Sequence, residues 1–306
     1  MTDATRVAAI DCGTNSIRLL ITDLSGSGQH DVLREMRIVR LGQDVDRTKH
    51  LDEAAIERTL TAVREYRELI ASFEVAHVRF CATSAVRDAG NGAQFADRVE
   101  ALLGVRPQVL AGTEEAAASF LGATRALGPG RTVVVDIGGG STEIVVGDGA
   151  TIESAVSLDI GSVRLTERFL ASDPPTVDEI TACIDHLDAV LAAPTSGLAS
   201  IPRLVGVAGT VTTVAAHVMG LASYDSQAIH GARLLLADVR AACLSLVQLP
   251  VADRRALGFM HPGRADVIGA GALILDRLIE ALPIDSDVML VSESDILDGI
   301  AWSVIA

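Results

Sequence analysis

Lysine is nearly missing from this chain. Of 25 basic residues only Lys49 is not an arginine, and 40 carboxylates bring the formal net charge to −15. A chain this acidic lacks the basic footprint of a duplex-nucleic-acid binder. It can hold a polyanion only where arginines or metal ions concentrate positive charge locally. Arginine suits bidentate phosphate contacts, and genome composition accounts for the same bias equally well. Paired cysteines are lacking too. Cys12, Cys81, Cys183 and Cys243 form no Cys-x-x-Cys pair and no zinc-site spacing; they read as reduced thiols of a cytoplasmic protein. No apolar run approaches the roughly 20 residues of a membrane span, so no membrane partner is expected. The opening MetThrAspAlaThrArgVal lacks the basic-then-apolar pattern of a secretory signal. With 306 residues, 49% of them apolar and 21% charged, two soluble domains with their own cores are expected.

What is present is a duplicated turn. AlaAlaIleAspCysGlyThrAsnSerIleArgLeuLeuIle (8–21) and ValValValAspIleGlyGlyGlySerThrGluIleValVal (133–146) align Asp11 with Asp136, Gly13 with Gly138 and Ser16 with Ser141. Each copy reads as an apolar strand, a carboxylate, a polar glycine turn and a second apolar strand. Strands are further expected at 31–39, 77–84, near Val109, and at 151–158, 203–210 and 288–292. Helices are expected at 52–73 with Asp52 as N-cap, and at 91–103, 113–126, 163–170, 177–191, 236–249, 265–282 and 296–304. Leu127-Gly128-Pro129-Gly130 reads as a linker. The sum is an α/β protein of two duplicated domains with mixed sheets, 1–127 and 128–306, the last helix packing back on the first domain. Two such hairpins, one from each half, would face each other across a cleft and hold a phosphate–metal complex.

The chemistry of the turns supports anion binding. Gly13 permits close backbone approach; Thr14, Asn15 and Ser16 add short donors, and successive N–H groups form a nest. An ordinary polar β-turn is the alternative. In the second copy Gly138, Gly139 and Gly140 bare the backbone before Ser141. Asp136 ends an apolar strand, where a hard cation such as Mg²⁺ would be useful. Neither turn is a P-loop, since no lysine follows the glycines. Arg87, expected in a loop after a buried strand, suits a phosphate clamp or a plain surface charge. Arg18 stands where Glu143 stands in the other hairpin, which suits a cleft position or a salt bridge. Gly206, Gly209 and Thr210 form a strand-to-helix turn whose helix N-terminus favours an anion. Arg264 and Asp266 are expected to start a helix after His261-Pro262-Gly263.

The set AspCysGlyThrAsnSer (from Asp11), AlaThrSerAlaValArgAspAlaGlyAsn (82–91), GlyThrGluGluAla (112–116), AspIleGlyGlyGlySerThrGlu (136–143), GlyValAlaGlyThr (206–210) and GlyArgAlaAspValIle (263–268) resembles the exopolyphosphatase / guanosine pentaphosphate phosphohydrolase family. The blocks run in family order across almost the whole chain. The resemblance implies two ribonuclease-H-like domains of the actin-like ATPase superfamily. It implies Glu115 as the carboxylate that activates water, with Glu114 as a neighbour turned about 100° away on the helix. Asp136 and Glu143 match metal-associated carboxylates and Asp11 the acid of the first turn, for Mg²⁺ or Mn²⁺. Domain closure would assemble Glu115 with Asp136 and Glu143. The implied activity is hydrolysis of the terminal phosphoanhydride of inorganic polyphosphate, in a cytoplasmic homodimer. Guanosine pentaphosphate is the alternative substrate, with a superfamily kinase or a non-catalytic phosphate sensor as other readings. Larger members carry a further helical region after the second domain, so a preference for short chains is expected. Asp298 stands where many relatives place a basic or other residue, and its role is open.

Overall fold

In β1 (Thr5–Cys12) Val7 and Ala9 alternate with Ala8 and Ile10, and all four are buried. A central strand covered on both faces requires this. The structure, a computed structural model, describes residues 4–26 and 28–305; the first three residues of the leader reading lie outside it. β1 turns into β2 (Ser16–Ser25), which pairs with β3 (Gly28–Ile38), both junctions antiparallel. After α1 (Val45–Thr48) and α2 (Glu53–Ser72) the chain returns as β4 (His77–Ala82), parallel to β1. α3 (Ser84–Arg87), α4 (Gly92–Leu103), β5 (Gln108–Val109) and α5 (Gly112–Thr124) follow, giving the sheet order β3-β2-β1-β4-β5.

The next stretch repeats the plan. β6 (Arg131–Ile137), β7 (Thr142–Asp148) and β8 (Thr151–Leu158) form an antiparallel meander. α6 (Ser162–Phe169) and α7 (Val177–Thr195) lead to β9 (Arg203–Val207), parallel to β6. Then come α8 (Ala208–Val218), α9 (Ser226–Ile229), β10 (Arg233–Leu235), α10 (Leu236–Gln248), α11 (Val251–Ala256), α12 (Ile268–Ala281) and β11 (Val288–Val291). Read from β8, this sheet runs β8-β7-β6-β9-β11-β10. It has the order of the first with one strand added, which is the ribonuclease-H-like arrangement built twice. α13 (Ile296–Trp302) closes the chain.

The compact units are Met1–Gly122 with Ile296–Ala306, and Ala123–Asp295. In the first unit, one face of the sheet packs Ala8, Ile10, Leu19 and Ile21 against Ile56, Leu60, Val63 and Tyr66 of α2 and Phe95 of α4. The other face packs Val7, Ala9 and Leu20 against Ile296, Leu297, Ile300 and Trp302 of α13. Each of the valine, leucine and isoleucine side chains contributes roughly 1.5–3 kcal/mol on burial. α13 lies so close to α5 that a Cβ on Gly299 would stand 1.9 Å from the Ala118 carbonyl oxygen. Asp298 is buried and accepts from Arg34 at 2.6 Å and Gln29 at 2.7 Å, which ties α13 to β3. The second unit has a single large core from β6, β7, α7, α8, α10 and α12.

Helix ends follow their local chemistry. Asp52 caps α2 by accepting from the Ala55 N–H, and Thr176 with Glu179 forms a capping box on α7. Four expectations need correction. The strand expected at 77–84 ends at Ala82, and Arg87 closes a short helix where a loop was expected. The helix expected from 265 starts at Ile268, so Arg264 and Asp266 lie in the preceding turn. Gly209 and Thr210 lie within the first turn of α8, and the sharp bend falls on Ala208, with φ 67°. No helix among the described residues is long and apolar enough to cross a membrane. All four cysteines are buried. Burial pushes the Cys81 and Cys183 thiols up to about 12, which suits packing more than reactivity.

Candidate active site

In each unit the polar turn sits at the carboxyl end of a central strand, beside the end of its parallel neighbour: β1 beside β4, β6 beside β9. That is where open α/β sheets leave room for ligands. The two turns close alike. The Gly13 N–H donates to the Ser16 carbonyl at 2.9 Å, and the Gly138 N–H to the Ser141 carbonyl at 3.0 Å.

Each turn is fastened from behind by its carbonyls. In the first, Thr14 O accepts from Gly42 N at 2.8 Å, and Asn15 O accepts from Val39 N at 3.0 Å and Arg40 N at 2.9 Å. A Cβ on Gly42 would stand 2.4 Å from Thr14 Cγ2, so only glycine allows this approach. Thr14 Oγ1 also pairs with Ser84 Oγ at 3.0 Å. In the second, Gly138 O accepts from Ser162 N and Gly139 O from Val163 N, both at 2.9 Å, while Gly140 O accepts from Arg164 Nε at 2.7 Å. A planar trans peptide points its C=O and the following N–H in opposite directions. The N–H groups of Asn15 and Ser16 therefore turn away from the 39–42 segment, and those of Gly139, Gly140 and Ser141 away from α6.

The acids at the strand ends have different partners. Asp11 stands opposite Arg18 in the β1–β2 register and accepts from its Nη2 at 2.6 Å and Nε at 3.1 Å. The salt-bridge reading of Arg18 is thus the observed one. Asp136 stands opposite Glu143 across β6–β7, so two carboxylates share one face. Both residues are buried, and Glu143 Oε1 accepts from Ser157 Oγ at 2.6 Å. Like charges directly opposite each other destabilise a sheet, and a divalent cation relieves that. This pair of hard oxygen donors fits Mg²⁺ or Mn²⁺, which binds through one or two carboxylates and completes its shell with water and phosphate oxygens. Among the described residues no group of three or more His, Cys, Asp or Glu is placed to hold a metal. Asp11, engaged by Arg18, is not in such a group.

In the first unit α5 begins just after β5, at the same edge of the sheet. Glu115 is buried there, and its Oε2 accepts from Arg87 Nη1 at 2.9 Å. The same nitrogen donates to the Leu110 carbonyl at 3.0 Å. Glu114 is exposed and accepts from the Ala111 N–H at 2.8 Å, a cap on its own helix. Glu115 is therefore the inward carboxylate, and Arg87, expected to clamp phosphate, holds it. In the second unit Arg264 lies against Gly209: a Cβ there would stand 2.3 Å from Cζ of the arginine. Thr210 is buried beside it in the first turn of α8. Sequence reasoning did not find Gly42, Ala208, Gly161 or Arg164. Ala208 lies inside the 206–210 turn but is not a residue type that marks a bend, and the turn residues that Gly42, Gly161 and Arg164 meet lie more than twenty residues away in sequence.

The sequence matches the model of the Ppx/GppA phosphatase family over residues 20–304. The chain belongs to that family. It is 48% identical to Exopolyphosphatase 2 of Mycobacterium tuberculosis over 98% of each chain. The fold matches the crystal structure of the Aquifex aeolicus Ppx/GppA family member with a TM-score of 0.84 at 33% identity, covering 99% of this chain and 98% of that one. It matches a crystal structure described as an exopolyphosphatase-like protein with a TM-score of 0.94 at 41% identity, covering 99% and 100%. The chain is a phosphatase of this fold.

Proposed function

We propose that this phosphatase is an exopolyphosphatase, removing the terminal phosphate of inorganic polyphosphate as orthophosphate. The observation that carries the reading is the pair of specialised edges: buried Glu115 held by Arg87 in one unit, and Asp136 with Glu143 beside the glycine turn in the other. The 48% identity to an exopolyphosphatase supports the choice of substrate.

Glu115 orients a water molecule and takes its proton as the oxygen attacks the terminal phosphorus. Arg87 fixes the carboxylate for that task. The new bond joins the water oxygen to phosphorus, and the bond to the bridging oxygen breaks, leaving that oxygen on the shortened chain. Each turn taken by itself offers N–H groups to phosphoryl oxygens on which charge builds: those of Gly139, Gly140 and Ser141 in the second unit, and those of Asn15 and Ser16 in the first. The Thr14, Ser16 and Ser141 hydroxyls and the Gly209–Thr210 amides add donors. Asp136 and Glu143 would hold Mg²⁺ or Mn²⁺, which supplies charge neutralisation for the phosphates. We place the cation there and not on Asp11, whose charge Arg18 already balances.

A net charge of −15 repels long polyanions, so short chains are the favoured substrates in this reading. The four buried, unbridged cysteines suit a reducing cytoplasm. We propose that the chain forms a homodimer, which the mass in light scattering tests against the 31.9 kDa of one chain. Phosphate release from tripolyphosphate, long polyphosphate, guanosine pentaphosphate and ATP, compared side by side with Mg²⁺, tests the function. Fastest release from short polyphosphate is expected. Preference for guanosine pentaphosphate or ATP would overturn the reading.

A further inference from the structure

The arginine at the second unit's turn comes from a different element than the one at the first. In the first unit the arginine at the hairpin, Arg18, sits on the acid Asp11. In the second, Glu143 takes the position equivalent to Arg18, and the arginine that touches the turn is Arg164, on α6. Arg164 is 6% exposed, and its Nε reaches the Gly140 carbonyl at 2.7 Å. Its own N–H donates to Gly139 O at 3.1 Å, alongside Val163. Gly161, just before α6, makes the approach possible. A Cβ there would stand 2.5 Å from Gly139 C and O and from Gly140 N, all backbone atoms that cannot step aside separately.

We propose that Arg164 and Gly161 are positioning residues of the glycine turn, an inference that rests on the phosphatase reading above. The start of α6 spends its N–H groups on the turn's carbonyls, not on the substrate. The guanidinium holds the Gly140 carbonyl, which directs the Ser141 N–H of the same peptide to the opposite side. A hydrogen bond accepted by a carbonyl also polarises its peptide and strengthens the N–H donor beyond it. The buried charge of Arg164 thus reaches the anion through one peptide unit. Lysine keeps the charge but lacks the planar fork that fixes the direction.

The test is the affinity for tripolyphosphate with Mg²⁺, measured by calorimetry on the full chain carrying Glu115→Gln to stop turnover. Losing a charge-assisted hydrogen bond behind the donors is expected to weaken binding about tenfold or more in Arg164→Met, and about threefold in Arg164→Lys. Gly161→Ala, which displaces the same peptides, is expected to match Arg164→Met. The double variant is expected to be no weaker than the worse single one, because both act through one turn. Affinities of Arg164→Lys and Gly161→Ala within about twofold of the parent, whatever their melting temperatures, would reduce Arg164 to a packing residue and overturn the proposal. Those two variants decide the matter even if Arg164→Met does not fold. A wild-type chain that binds tripolyphosphate without hydrolysing it would refute the proposed function and leave this comparison of affinities standing.

Discussion

Glu115→Gln removes the proton acceptor and little else. Glu115 Oε2 accepts from Arg87 at 2.9 Å with side-chain exposures of 9% and 24%. Glutamine keeps an acceptor in the same place, so the ion pair becomes a charged-to-neutral hydrogen bond. Arg87 retains its bond to the Leu110 carbonyl. The stability cost is therefore about 1 kcal/mol, a melting shift of about 2–4 °C for a domain of this size. A well-placed general base contributes roughly 10²–10⁴ in rate, so kcat is expected to fall by that factor with KM changed less than about threefold. Glu114→Gln is the matched control. Its carboxylate is exposed and caps Ala111 N, and glutamine still caps, so activity should stay near wild type. Malachite-green phosphate release from tripolyphosphate measures both variants, with melting curves to confirm folding. If Glu115→Gln keeps more than about a tenth of wild-type turnover, or Glu114→Gln loses as much, the assignment of the base is wrong.

Mg²⁺ at millimolar concentration is expected to raise the melting temperature of the wild-type chain and to raise that of Glu143→Gln or Asp136→Asn much less; equal shifts in all three would remove the cation from that pair. Arg18→Met leaves the buried carboxylate of Asp11 without its guanidinium and should cost about 2–3 kcal/mol, near the lower end for a broken buried pair because Arg18 is a fifth exposed. Adding Asp11→Asn should restore part of that in denaturant titration, and strict additivity would contradict the pairing. Burial holds the His186 and His217 pKa values below the usual histidine range, with Arg168 adding to the effect at His186. The folded state then binds fewer protons than the unfolded one. Stability is full above the unfolded pKa of about 6.5 and falls as pH drops through the lowered folded values. Melting curves in this window should flatten in His186→Gln, and an unchanged slope would count against it.

How far the site could be read from residue order depended on where its partners sit. The hairpins were legible because alternation and a glycine turn are local signals, and aligning Asp11 with Asp136 also put Arg18 in the place that Glu143 holds in the second hairpin. The duplication into two α/β domains followed from strands and helices recurring in the same order twice, while the ribonuclease-H-like arrangement was implied by the family resemblance. Glu114 and Glu115 were not separable, since adjacency on a helix only turns them apart. It takes Arg87, brought in by α3 after β4, to draw Glu115 inward. Ala208 was invisible because alanine rarely adopts a left-handed φ; the glycines on either side drew attention, and the strain fell between them. Arg164 and Gly161 gave no sign because their work is done on peptides more than twenty residues earlier.

Hydrolysis of tripolyphosphate in oxygen-18 water tests the central claim most directly. Water activated by Glu115 attacks the terminal phosphorus, so each released orthophosphate should carry one labelled oxygen and the shortened chain none. Mass spectrometry of both products reads the outcome. Label in the shortened chain, or phosphate lost only when a second acceptor is supplied, would contradict the account.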